Sequence, residues 1–222
     1  MNFITSNITD IEFGDAKSNL KSLATKGSMV FCDQKKNIIC FASEVALTNE
    51  NVTVYSDKSK NQKVLEIKGS MPGPLEILSD EGESIGTVKS TGVKKNAWEL
   101  TTNDGKIITV IERKSALKQI FAFAGRILSI FADGAVKFNV GPYDITCNNQ
   151  KIGYISREKK KKGRFIRILL NCFSFGFTRL LGWTAGLADH KIENVENLNK
   201  EFDVRLLVSA MTLQAFEARR KD

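Results

Sequence analysis

The segment Asp203–Phe216, reading Asp-Val-Arg-Leu-Leu-Val-Ser-Ala-Met-Thr-Leu-Gln-Ala-Phe, is apolar almost all the way round a helix. At helical spacing Val204, Leu207, Val208, Met211 and Ala215 share one face, while Leu206, Ala210, Leu213 and Phe216 cover much of the remainder. Such a helix has no face to give to water and must be surrounded. It falls short of the roughly 20 apolar residues a bilayer span needs, so the rest of the chain has to wrap it. Asp203 suits the first turn as a cap, and Arg219, Arg220 and Lys221 lie where cations favour a helix C-terminus. The expectation is one buried helix over residues 203–217.

Material for the wrapping is present as repeated hairpins. Met29–Asp33 runs to a polar turn and returns as Ile38–Ala42; Val52–Ser56 turns through Asp57 and returns as Val64–Lys68. Leu75–Ser79 turns through Asp80-Glu81-Gly82 into Ile85–Lys89, and Trp98–Thr102 turns at Asn103-Asp104-Gly105 into Ile107–Ile111. Tyr143–Cys147 turns at Asn148-Asn149 into Ile152–Ser156. The arms are rich in β-branched and aromatic residues, and Asn, Asp and Gly at the bends accept the left-handed backbone that tight turns need. Turn residues Asp33, Asp57, Asp80 and Asn103 are spaced 24, 23 and 23 positions apart. A propeller repeats at about 40 residues or more, and a solenoid leaves the apolar helix unexplained. A mainly β fold, a closed antiparallel barrel of hairpins enclosing the C-terminal helix, accounts for both features and leaves no strand edge bare.

These hairpin units and the closing Asp203–Phe216 helix resemble the superfamily that contains tubby C-terminal domains, phospholipid scramblases and the plant LURP-one-related proteins. The resemblance covers roughly residues 28–217 and is architectural. It implies a barrel of about a dozen strands around a hydrophobic helix, a size compatible with barrel geometry. On this reading residues 1–27 form an N-terminal extension packed on the barrel, and residues 28–222 form the barrel with its helix.

The chain has 222 residues, of which 42% are hydrophobic, enough for one domain with a sizeable core. It contains three prolines and no Gly/Ser-rich or Pro-rich linker. Residues 1–10 lack the charged start and long apolar centre of a signal peptide, so the cytoplasm is expected, with peripheral attachment at the inner face of a membrane as an extension of that reading. Cys32, Cys40, Cys147 and Cys172 are widely spaced in apolar surroundings and read as reduced core thiols.

Charge supplies the functional clue. Residues 1–150 carry 18 Lys/Arg against 17 Asp/Glu, whereas residues 151–222 carry 15 against 8. Within the latter, Arg157-Glu-Lys-Lys-Lys-Lys-Gly-Arg-Phe-Ile-Arg167 concentrates seven cations and one carboxylate. Consecutive lysines repel one another unless solvent or an anionic partner screens them. A solvated loop is the plainer interpretation. An anionic lipid surface is the sharper one, because Phe165, Ile166, Ile168, Leu169, Leu170, Phe173 and Trp183 follow at once, and cations beside apolar wedges suit a membrane interface. Lys159, Lys160, Lys161, Lys162, Arg164 and Arg167 are therefore the candidate lipid-binding residues, with Lys94 and Lys95 as a second patch. Residues 165–188 are long enough to span a bilayer, but Arg179 and three glycines (Gly176, Gly182, Gly186) oppose a spanning helix, and barrel strands or a helical excursion packed on the barrel are expected instead. Leu117–Phe131 carries an apolar stripe at helical spacing and reads as core packing.

Catalytic chemistry is not expected. His190 is the only histidine, and its neighbour Asp189 does not make a dyad by adjacency, so a surface or capping role is expected for it. There is no nucleophile elbow, phosphate loop or helix with paired metal ligands. The run Asp80-Glu81-Gly82-Glu83 lacks the ligand spacing of a calcium loop. The resemblance to scramblases raises calcium binding near the closing helix, yet Asp189, Glu193, Glu196, Glu201 and Asp203 lack the alternating acidic pattern of that family. The expectation is thus a monomeric, non-catalytic module without metal or cofactor, binding anionic phospholipid or phosphoinositide headgroups as tubby domains do. A soluble interaction scaffold with a protein partner, of the LURP-one-related type, is the alternative. Nucleic acid ranks below both, since the basic run is not interleaved with aromatics on a recognition fold.

Overall fold

The structure is a computed structural model and describes residues 8–15, 29–42, 51–56, 59–70, 73–91, 97–113, 142–157 and 190–220. Its strands are β1 (Ile11–Asp15), β2 (Met29–Cys32), β3 (Ile38–Ala42), β4 (Val52–Tyr55), β5 (Lys63–Lys68), β6 (Leu75–Ser79), β7 (Ser84–Ser90), β8 (Ala97–Thr102), β9 (Ile107–Glu112), β10 (Tyr143–Cys147), β11 (Gln150–Arg157) and β12 (His190–Ile192). Each strand pairs antiparallel with the next, and β12 returns to β1, closing an up-and-down barrel of twelve strands. All five expected hairpins form: β2–β3, β4–β5, β6–β7, β8–β9 and β10–β11.

The barrel begins earlier than the sequence suggested. Strand β1 lies within residues 1–27, yet it is a stave of the wall, with Ile11 opposite Ile192 and Phe13 opposite both His190 and Phe31. Strands β1 and β12 each find their partner across most of the chain, so no tight turn marks either of them in the sequence.

Two helices follow β12, α1 (Val195–Glu201) and α2 (Val204–Arg220). Every residue from Leu206 to Gln214 is buried. That run exceeds two turns, so all sides of the helix are covered and α2 lies inside the barrel. Every strand contributes at least one residue to the core cluster that it joins. Asp203 caps α2 as expected, its carboxylate accepting the Arg205 N–H at 2.9 Å. The helix runs three residues beyond the expected end.

The buried polar side chains of α2 are paired. Ser209 and Thr212 donate to the carbonyls of Arg205 and Val208, both at 2.8 Å, and the Trp98 indole N–H donates to the Gln214 amide oxygen at 2.7 Å. This last bond ties α2 to β8 across 116 residues of chain. Leaving any of these groups unpaired in the interior would cost about 1–3 kcal/mol.

The hairpins repeat more exactly than their turn residues indicate. Met29, Val52, Leu75 and Trp98 are 23 residues apart and all buried, as are Phe31, Val54, Ile77 and Leu100. The first turn positions, Asp33, Ser56, Ser79 and Thr102, keep the same spacing. Side-chain oxygens of Asp33, Ser79 and Thr102 each accept the N–H four residues on, at 2.8, 3.1 and 3.0 Å. In those same turns Lys36, Gly82 and Gly105 have positive φ.

Four hairpins carry a register shift next to the turn, and the extra residues are Ile39, Val64, Ile85 and Ile152. All four are aliphatic, partly buried and packed against the core. A bulge re-aims one side chain, and here each directs an aliphatic group over the barrel mouth. The β8–β9 hairpin lacks this shift, so its inward residues are Ile108 and Val110, while Ile107 and Ile111 are 48% and 44% exposed. A slip of one residue exchanges the faces of a strand.

The outer wall of the described strands carries Glu66, Lys68, Glu76, Lys89, Glu99, Asp144, Lys151 and Lys191, alternating with buried residues. A barrel standing in lipid has the opposite arrangement, with an apolar band outside.

In an antiparallel meander, successive connections alternate between the two ends. The five tight turns therefore share one end, called here the hairpin end, together with α1 and the start of α2. The links β1–β2, β3–β4, β5–β6, β7–β8, β9–β10 and β11–β12 all lie at the opposite, connection end. Leu206 sits against Gly86 near the first end and Gln214 against Trp98 near the second, so α2 runs from the hairpin end toward the connection end.

Candidate functional site

The basic run starts where β11 ends. Arg157 is the last residue of β11 and pairs with His190, the first of β12, at the connection end. Lys159, Lys160, Lys161, Lys162, Arg164 and Arg167 lie outside the described residues, as do Lys94, Lys95, residues 165–188 and Leu117–Phe131.

On the inside, His190 is buried, contrary to the surface or capping role expected from sequence. Its ring stacks on Phe13 at 5.4 Å and 16°, Phe13 stacks on Phe31 at 5.5 Å, and Tyr143 lies 6.2 Å from the histidine. The clue was period-two alternation: Ile192 faces the core, and so must the residue two before it. The Tyr143 hydroxyl is buried with no hydrogen-bond partner among the described residues. Burial, followed by the negative charge of Glu112, holds its pKa well above the usual tyrosine value. A neutral phenol packed among aromatic rings acts as core and is not poised for proton transfer at neutral pH.

Because His190 fills core volume, His190→Ala is expected to cost on the order of 2–4 kcal/mol through the cavity it leaves. For a chain of this size that lowers the melting temperature by about 5–15 °C. His190→Phe should recover much of the loss. A melting curve for the alanine variant that overlays the wild type would place the ring outside the core.

On the outside of β9–β11, Asp144 accepts from the Arg113 guanidinium at 2.8 and 3.0 Å, and its Oδ1 lies 2.7 Å from the Lys151 ammonium. Burial would raise the Asp144 pKa, but hydrogen bonds from Arg113 and Lys151 outweigh it and hold the carboxyl below the usual range. Both cations also lie over the Tyr154 ring, at 5.2 and 4.8 Å from its centroid. This group is a self-satisfied surface cluster in which the two cations are already engaged.

The hairpin end is charged differently. Lys106 donates to the Glu201 carboxylate at 2.6 Å and to the Glu201 carbonyl at 2.8 Å. Arg205 pairs with Asp203 at 2.7 Å and approaches Asp80 at 3.9 Å. These partly exposed pairs latch the helices to the β6–β7 and β8–β9 turns. The acidic residues considered for calcium are thereby accounted for in part: Asp203 caps and pairs, Glu201 binds Lys106, and Glu196 pairs with Lys200 at 3.3 Å. Among the described residues no three His, Cys, Asp or Glu side chains are grouped to hold a metal ion.

The described cysteines, Cys32, Cys40 and Cys147, are buried. Cys40 belongs to the interior core and Cys32 to a separate cluster with Val30 and Phe41. Burial, then the neighbouring Cys32, pushes the Cys40 thiol well above its usual pKa, leaving it unreactive. Cys172 lies outside the described residues.

Among the described residues no helix is long and apolar enough to cross a membrane. Comparisons of the chain with protein-family models, with curated proteins and with solved structures found no match.

Proposed function

We propose that this chain is a non-catalytic phospholipid- or phosphoinositide-binding module that docks on anionic membrane surfaces through Lys159, Lys160, Lys161, Lys162, Arg164 and Arg167. The observation that carries this reading is the concentration of seven cations against one carboxylate in Arg157–Arg167, continuing directly from the end of β11. Two features support it. Apolar residues follow the cations in sequence, a pairing that suits a membrane interface. A barrel closed around α2, as the tubby-like resemblance implied, fills its interior with the chain's own helix, which leaves the exterior for partners.

Replacing Lys159 through Lys162 with Gln is expected to leave the melting temperature nearly unchanged, since a run of like charges contributes little to a fold. Pelleting with phosphatidylserine-containing vesicles should fall steeply, by about 1 kcal/mol for each cation near the headgroups. Wild-type binding should weaken with added salt and survive a nucleic-acid competitor. Equal pelleting of wild type and variant, or no wild-type pelleting at low salt, removes the lipid reading and favours a soluble interaction scaffold. Loss of pelleting to the competitor points to nucleic acid.

A further inference from the structure

Among the described residues, the large hydrophobic side chains that stand exposed are Ile107 and Ile111, and both lie on the outer wall of β9. Thr109 lies between them on the same face, so the outward row of this strand carries no charge. The outward rows of β5, β6, β7 and β12 do, at Glu66 and Lys68, Glu76, Lys89 and Lys191. Nothing in the fold calls for isoleucine outside β9, because the inward Ile108 and Val110 already supply its share of the core.

Opposite charges flank this row. Arg113 lies four residues beyond Thr109 and Asp104 five residues before it, and both are exposed. Asp144 takes up Nε and Nη2 of Arg113 at 3.0 and 2.8 Å, leaving Nη1 as the remaining donor nitrogen of the guanidinium. The Asp104 carboxylate accepts the Thr102 hydroxyl through Oδ1, which leaves Oδ2 on an exposed turn.

An acid, two isoleucines about a threonine, and a base form an order that complements its own reverse. When a second copy is laid antiparallel on the first, with a two-fold axis crossing β9 over Thr109, Ile107 meets the second copy's Ile111 and Asp104 meets its Arg113. Each contact then occurs twice, as an isologous interface requires. The parallel arrangement sets Arg113 against Arg113 and Asp104 against Asp104. From this we infer that the protein self-associates through the outer wall of β9, as a two-fold dimer with the two β9 strands antiparallel and the isoleucines at its centre.

Size makes this dimer weak. The row from Gly105 to Arg113 extends about 27 Å at about 3.4 Å per residue, and β8, β9 and β10 together are about 10–14 Å wide. Such a face covers about 300–400 Å² per copy, well below the roughly 1,200–2,000 Å² total of stable complexes. The chain is therefore monomeric when dilute and pairs as concentration rises. Glu99 on β8, opposite Thr109, is the one outward charge beside the axis that opposes pairing. Twelve strands turn the wall by about 30° per strand, so Glu99 leans away from the second copy's Glu99, and screening over about 8 Å weakens their repulsion.

Charge exchange tests the arrangement. Sedimentation equilibrium of the wild type from about 10 µM to about 1 mM, in low salt and without vesicles, should show a reversible monomer–dimer equilibrium. Asp104→Arg and Arg113→Glu each set like charges together twice, and each alone should raise the dissociation constant at least fivefold. Mixed in equal amounts, the two variants should associate about as well as the wild type, because both pairs in the mixed dimer join an arginine to a carboxylate. Ile111→Gln, which alters no charge, should also weaken association at least fivefold. A wild type that stays monomeric to about 1 mM, or one whose dimer survives all three substitutions unchanged, overturns the interface. A mixture no better than its separate components overturns the antiparallel pairing. Either failure leaves the lipid reading standing, since no membrane enters the measurement.

Discussion

Leu207→Asp is expected to yield no folded protein. Leu207 is fully buried inside the barrel, on a helix whose residues from Leu206 to Gln214 are all buried. The nearest charged groups on the chain's path into the barrel, Asp203 and Arg205, are already paired with each other at its mouth. A carboxylate at 207 would find no cation and no water, and forcing it to be charged there costs several kcal/mol or more. Total stability for a domain is about 5–15 kcal/mol, and the same substitution also removes the leucine's own packing. Circular dichroism and size exclusion should show an unfolded or aggregated chain. A soluble Leu207→Asp protein with a cooperative melt near that of the wild type would falsify the enclosure of α2.

Gly86→Ala should be nearly as severe, although it adds one methyl group. Gly86 lies in β7 with φ of +142°, a backbone conformation that side chains rarely adopt. A Cβ there would fall inside contact distance of the Thr101 carbonyl oxygen and within 3.2 Å of both Leu206 methyl groups. The strain costs about 1–3 kcal/mol and the overpacking about as much again. Neither neighbour can withdraw: Thr101 belongs to the paired β8, and Leu206 is held by the first turn of α2. The comparison is Gly82→Ala, four residues away in the turn. There φ is also positive, at +88°, but nothing lies within 4 Å of the added atom. Gly82→Ala should cost only the conformational part, about 1–2 kcal/mol. Equal losses for the two variants would mean that α2 does not press on β7 at this point.

Much of the fold was legible because its signals are local. Each of the five hairpins pairs strands separated by a few residues, and Asp, Asn and Gly at the bends announce the reversal before any tertiary contact is considered. The buried helix was legible for a related reason: a segment apolar on all sides can only be enclosed, whatever encloses it. Strands β1 and β12 were not legible, since they meet each other across most of the chain and no tight turn joins either to a neighbour. His190 was misplaced for the same reason. Its inward orientation follows from the register of β12, which β1 and β11 impose from outside the segment.

The candidate site divides along the same line. Its composition, six cations between Lys159 and Arg167 followed by apolar residues, is a property of the linear sequence. Sequence alone also determined the 23-residue hairpin period and the need to bury residues 203–217, because turn chemistry and hydrophobic patterning act over a few residues. Tertiary structure decided the rest. Closure of the barrel set the inward face of each strand, a bulge in four hairpins turned Ile39, Val64, Ile85 and Ile152 toward the mouth, and its absence in the fourth of the five left Ile107 and Ile111 outside. Alternate connections of a closed meander must emerge at opposite ends, and only the order of the strands around the barrel says which segments share one.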